Sequence, residues 1–90
     1  MTGQERAALR KQANTLSPIT QIGKDGISDN LIRTVEEAID KRGLIKLSVL
    51  ESADMTAQEA AAAIAARSGA EVIQCIGRKL VLYRERKEES

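Results

Sequence analysis

Ile22-Gly23-Lys24-Asp25-Gly26-Ile27-Ser28-Asp29 is the stretch on which the reading of the fold turns. An apolar, strand-like run over residues 19–22 stops at a Gly-x-x-Gly step. A helix opens directly after it, with Ser28 as N-cap and Asp29 as an acid in the positive first turn. Glycines let the backbone approach a ligand without side chains in between. The helix start adds unpaired N–H groups and a positive dipole end at the same place. Two readings stay open at this point: a site for an anion such as phosphate, or a sharp turn that carries a strand into a helix.

Working outward toward the C-terminus, a helix is predicted over 28–42. Leu31, Ile32, Val35, Ala38 and Ile39 form its core stripe, Asp29–Arg33, Arg33–Glu37 and Glu37–Lys41 are i,i+4 pairs outside, and Gly43 follows the last turn. Residues 44–50 alternate, with Ile45, Leu47 and Val49 on one face and Lys46 and Ser48 on the other. A strand–helix–strand unit of this length predicts parallel pairing through a right-handed crossover. Residues 51–55 read as a loop, and Thr56-Ala-Gln-Glu59 is a capping box before an alanine-rich helix to Ser68, with Ala57, Ala60, Ala61 and Ile64 turned inward. Ala70–Ile76 and Lys79–Arg84 are two strands joined at Gly77-Arg78, a hairpin. On the N-terminal side, 3–14 reads as a helix with Leu9, Ala13 and Leu16 in one stripe and Arg6, Arg10 and Lys11 elsewhere; Ser17-Pro18 ends it. The expected architecture is a two-layer α/β domain, αβαβαββ, with a four-stranded mixed sheet covered by helices on one face and partly open on the other. Residues 1–85 form a single domain and 86–90 a charged tail.

The chain has 90 residues, enough for one core. Hydrophobic residues make up 42% and charged residues 30%, which places it among soluble globular proteins. It has no apolar run of membrane-spanning length, and its first residues lack the apolar core of a signal peptide. One cysteine, Cys75, allows no internal disulfide, which suits a reducing cytoplasm. With no histidine and one cysteine, histidine-based metal sites and Ser-His or Cys-His nucleophile pairs are excluded. Glu36 and Glu37 are neighbours in sequence and do not face each other on a helix, so they form no acid–base pair. No catalytic residue, metal or cofactor is expected. Tyr83 is the one aromatic residue, which argues against a multi-ring platform for stacked bases; it is read as packing on the sheet.

Net charge is only +1, yet its distribution is uneven. Residues 1–24 carry Arg6, Arg10, Lys11 and Lys24 against Glu5, and residues 72–84 carry Arg78, Lys79 and Arg84 with no acid, while the segment between is acidic. Two basic blocks around an acidic middle can present one basic face, or be ordinary scatter of surface charge.

The run Leu16-Ser-Pro-Ile-Thr-Gln-Ile-Gly-Lys-Asp-Gly-Ile-Ser28, then Leu44-Ile-Lys-Leu-Ser-Val-Leu50, then Ser68-Gly-Ala70, and finally Gln74-Cys-Ile-Gly-Arg-Lys-Leu-Val-Leu-Tyr-Arg84, resembles the CRM domain (chloroplast RNA splicing and ribosome maturation) in its stand-alone bacterial YhbY form. The resemblance spans about residues 2–85. It implies a fold similar to the C-terminal domain of translation initiation factor three. It also implies RNA binding, with Gly23, Lys24, Asp25 and Gly26 compared to the backbone-clamping loop of KH domains, and Gly77, Arg78, Lys79, Tyr83 and Arg84 on the hairpin and last strand. For stand-alone members it implies association with precursors of the large ribosomal subunit. The expected RNA contacts are therefore Gly23, Lys24, Asp25, Gly26, Arg78, Lys79 and Arg84, joined by Arg6, Arg10 and Lys11. Asp25 inside the loop opposes anion binding, and the mixed-charge tail stands where family members often carry further basic residues. The expectation is a monomeric, cytoplasmic, non-enzymatic protein that binds ribosomal RNA and assists ribosome assembly, with no membrane or small-molecule partner. The alternative is a small protein-interaction domain that docks a ribosomal protein or assembly factor on its open sheet face or strand edge.

Overall fold

The structure, a computed structural model, describes residues 2–85; the charged tail expected at 86–90 lies outside them. The elements run α1 (Gly3–Ala13), β1 (Thr20–Ile22), α2 (Asp29–Arg42), β2 (Leu44–Val49), α3 (Ala57–Ser68), β3 (Glu71–Ile76) and β4 (Lys79–Tyr83). A single 3₁₀ turn, Glu51–Ala53, sits within the expected loop. Local chemistry explains the helix starts. Thr2, Ser28 and Thr56 each turn a hydroxyl onto the backbone N–H three residues on, and Glu59 returns the bond to Thr56 N–H at 2.9 Å. Helix α2 stops at Gly43, whose φ of +76° closes the last turn.

The sheet order is β1-β2-β4-β3. Strands β1 and β2 are parallel, and β4 is antiparallel to both β2 and β3. It follows that β3 runs parallel to β2 with β4 inserted between them. The connections β1-α2-β2 and β2-α3-β3 therefore step in the same direction across the sheet. With one handedness for both crossovers, α2 and α3 must share a face.

That face is the main core. Ile22, Ile45, Leu47, Leu80 and Leu82 from the sheet meet Val35 and Ile39 of α2 and Ala60, Ala61 and Ile64 of α3. The alanines of α3 let it lie close to the strands. Helix α1 belongs to neither crossover, and it packs on the opposite face. Leu9, Ala13 and Leu16 close over Leu44, Ile73, Val81 and Tyr83. The second face is thus covered over one half and bare over the other. Strand β3 reaches this smaller core through a bulge between Val72 and Gln74, which turns both Ile73 and Gln74 toward the α1 side.

Among the described residues, none of the three ion pairs expected along α2 closes. Asp29 instead accepts from Arg67 of α3 at 2.8 Å.

Candidate nucleic-acid interface

Parallel strands β1 and β2 end side by side, so whatever follows them gathers at one end of the sheet. After β1 comes the turn Gly23–Gly26, closed by a bond from Gly26 N–H to Gly23 O of 2.9 Å. Gly26 has a φ of +64°, and a Cβ there would lie 3.3 Å from Met55 Cε. Gly23 is under no such constraint: its Cβ would sit 3.9 Å from Leu50 Cδ1 and Ser52 Oγ, an ordinary contact. Lys24 and Asp25 at the tip are exposed. Among the described residues their N–H groups have no acceptor. A shallow depression runs from Gln21 past this turn to Ser28 and Asn30, at the start of α2.

The hairpin turn arrives at the same end. Val49 N–H donates to Arg78 O at 2.7 Å, and Leu50 N–H to Ile22 O at 2.9 Å, which locks the three chain segments together. Arg78 is exposed and faces Glu51 at 3.8 Å, a loose surface pair worth little. Lys79 is exposed and has no ion-pair partner among the described residues. Arg10 and Lys11 are exposed in the last turn of α1, and the C-cap residue of that helix, Asn14, lines a groove on the bare half of the sheet with Lys46, Gln74, Ile76 and Lys79. The fold thus brings Lys24, Arg78 and Lys79 to one end, with Arg10 and Lys11 on the border of the adjoining face.

The family model described as the CRS1 / YhbY (CRM) domain matches residues 1–84. The chain belongs to this family. Its CRM domain is 41% identical over 88 residues to YqeI of Bacillus subtilis strain 168, named a probable RNA-binding protein, covering 98% of this chain and 92% of that one. It is 34% identical over 88 residues to MJ0652 of Methanocaldococcus jannaschii, also named a probable RNA-binding protein, covering 96% of this chain and 65% of that one. The solution structure of SAV1595 from Staphylococcus aureus, described with its structure as a candidate RNA binder, superposes with a TM-score of 0.78 at 34% identity, over 100% of this chain and 94% of that one.

Two cations expected at the interface of the CRM domain make hydrogen bonds within the fold. Arg6 donates to Val72 O at 2.7 Å and lies 3.8 Å from Glu71. Arg84 donates to Glu36 at 3.0 Å, to Ser68 O at 2.6 Å and to Asp40. Burial works against the charge of Arg84, and its hydrogen bonds to the carboxylates of Glu36 and Asp40 outweigh it, so its pKa is raised and the guanidinium stays charged. Asp29 stands beside the glycine turn, yet the hydrogen bond and charge of Arg67 hold its carboxyl below the usual range. Part of its negative charge is thereby answered before any anion arrives. Cys75 packs against the main core, and burial raises its thiol pKa. Tyr83 packs against the α1 core.

Alternation along β2 sets Lys46 with Ser48 on the face opposite Ile45, Leu47 and Val49. The register puts it on the bare face one diagonal from Lys79, because Lys46 pairs with Val81 and Ser48 pairs with Lys79. Alternation in β2 and β4 carried that signal. What it lacked was knowledge of which half of the face α1 leaves open.

Proposed function

We propose that this CRM chain is a non-enzymatic RNA-binding protein that acts, as a cytoplasmic monomer, on precursors of the large ribosomal subunit and assists their assembly. The observation that carries this reading is the meeting of Lys24, Arg78 and Lys79 at the end of the sheet where two turn N–H groups stand without acceptors among the described residues. Cations and backbone donors at one place suit a phosphodiester chain, with position and shape read rather than base identity. The relatives' names as RNA-binding proteins support the same reading. Gly23 leaves the backbone accessible at the turn, and Gly26 forms it. Arg6 and Arg84 hold the scaffold.

The test is the double variant Lys24→Glu plus Lys79→Glu, followed by sedimentation with ribosomal particles and by binding to naked ribosomal RNA. Both are lost under this reading. If neither changes, RNA contact at this end is wrong. The protein-docking alternative then gains, and Ile76 at 64% and Leu50 at 39% exposure are the apolar residues it would use.

A further inference from the structure

The bare half of the second sheet face has a composition of its own. The strand register arranges it in two rows. Gln21, Ser48, Lys79 and Ile76 lie side by side across β1, β2, β4 and β3, and Lys46 and Gln74 flank the next row, whose middle residue, Val81, is already covered by α1. Neighbouring strands are about 4.8 Å apart, and diagonal partners about 7–8 Å. Lys46 and Lys79 are such a diagonal pair. Among the described residues neither has an ion-pair partner, and no carboxylate stands in either row. Two like charges this close oppose each other across the sheet. An anion placed between them would be held by both.

The remaining groups narrow the anion's source. Gln21, Gln74, Asn14 and Ser48 all both donate and accept hydrogen bonds, as a ribose 2′-hydroxyl requires. No ring is present in either row. Tyr83, the sole aromatic, is on the covered half beneath α1. Unstacked bases of a single strand would find no surface to stack on, whereas the backbone of a duplex needs none. Gln21 also borders the depression at the glycine turn, so the two surfaces are continuous around β1.

We propose that this half-face is a second contact surface for double-stranded RNA, with Lys46 and Lys79 holding a phosphodiester and the amide and hydroxyl side chains meeting the sugar edge. The proposal rests on the RNA-binding reading above and adds to it the ligand's form and a second location. Its test compares wild type with Lys46→Gln plus Lys79→Gln, and separately with Lys24→Gln, on a labelled stem-loop RNA, an unstructured RNA of the same composition and a DNA duplex of the same sequence. Wild type is expected to prefer the RNA stem. The Lys46/Lys79 variant should bind it about tenfold more weakly, with the slope of log affinity against log salt reduced by about two units. Its melting temperature should not fall, since the change removes a like-charge pair; a purely structural role for the lysines would lower it.

Equal or tighter binding of the unstructured RNA, or of the DNA duplex, overturns the duplex assignment. Unchanged affinity and slope in the Lys46/Lys79 variant, while Lys24→Gln weakens binding, overturns this second surface and reduces the first to Lys24, Arg78 and the turn N–H groups. If wild type binds none of the RNAs, both readings fall. If Ile76→Asp abolishes sedimentation with ribosomal particles while RNA binding is untouched, the face docks protein and the proposal is wrong.

Discussion

At the scale of single residues, the two glycines of the turn separate. Gly26 has a φ of +64° and Met55 3.3 Å from any added Cβ, so Gly26→Ala should lower stability by about 1–2 kcal/mol in urea unfolding. Gly23→Ala meets only ordinary contacts and should stay within about 0.5 kcal/mol of wild type, and any effect it has should appear in RNA affinity. The pair of variants therefore splits the two readings that the Gly-x-x-Gly motif left open. Asp25 sharpens the same question. An acid about 7 Å from a bound phosphate repels it by about 0.6 kcal/mol in water, so Asp25→Asn should tighten RNA binding about threefold with an unchanged melting temperature. Unaltered affinity would mean that no phosphate sits at the tip. Caps such as Ser28 and Thr56 were legible because capping chemistry spans three residues. Arg84 was not legible, because Glu36 and Asp40 lie 48 and 44 positions away in the chain.

At the scale of elements, Arg84 acts as a joint. It leaves the end of β4, reaches Glu36 and Asp40 on α2, and bonds the last carbonyl of α3 through Ser68 O, while its own N–H donates to Gly43 O at 3.0 Å. Arg84→Ala removes the three side-chain bonds and leaves Ser68 O short of a donor in a half-buried place. The expected loss is about 1–2 kcal/mol, held down by the partial exposure of the pairs. RNA affinity measured well below the melting temperature should be unchanged; a fall in affinity without a fall in stability would return Arg84 to the interface. Element positions were readable to within a residue or two, because stripes, caps and glycines act locally. The stripe of α2, with Leu31, Val35 and Ile39, declared its core side plainly. The ion pairs along α2 were misplaced for the opposite reason: a charged side chain on a helix surface chooses among partners that only tertiary packing supplies, and Asp29 found Arg67.

At the scale of the whole molecule, crossover handedness made the α2 and α3 side of the sheet predictable. Helix α1 precedes the first strand, so no such rule assigns it a face. Its few apolar residues fit the bare side of the sheet, where Leu44, Ile73 and Val81 needed cover. The candidate site was legible in the same uneven way: the glycine turn and hairpin by motif, Lys46 only once α1 was in place. Near-neutral charge conceals this layout. Acids are concentrated on α2 and around α3, while Lys24, Lys46, Lys79, Arg10 and Lys11 have no ion-pair partners among the described residues. RNA binding should therefore respond to salt as a basic module does, with a log–log slope of about −2.7 to −4.5 from roughly three to five phosphate contacts. A flat response would show that net charge, not its placement, describes the protein.

The bond from Arg6 to Val72 O has a consequence beyond the chain itself. Strand β3 forms the outer edge of the sheet, where unpaired carbonyls and N–H groups invite a strand from another molecule. Here one carbonyl is already taken by a guanidinium, and the bulge that follows directly after Val72 breaks the repeat that a newcomer would have to match. On the proposed monomeric reading, helix α1 thereby guards that edge against pairing with a second copy.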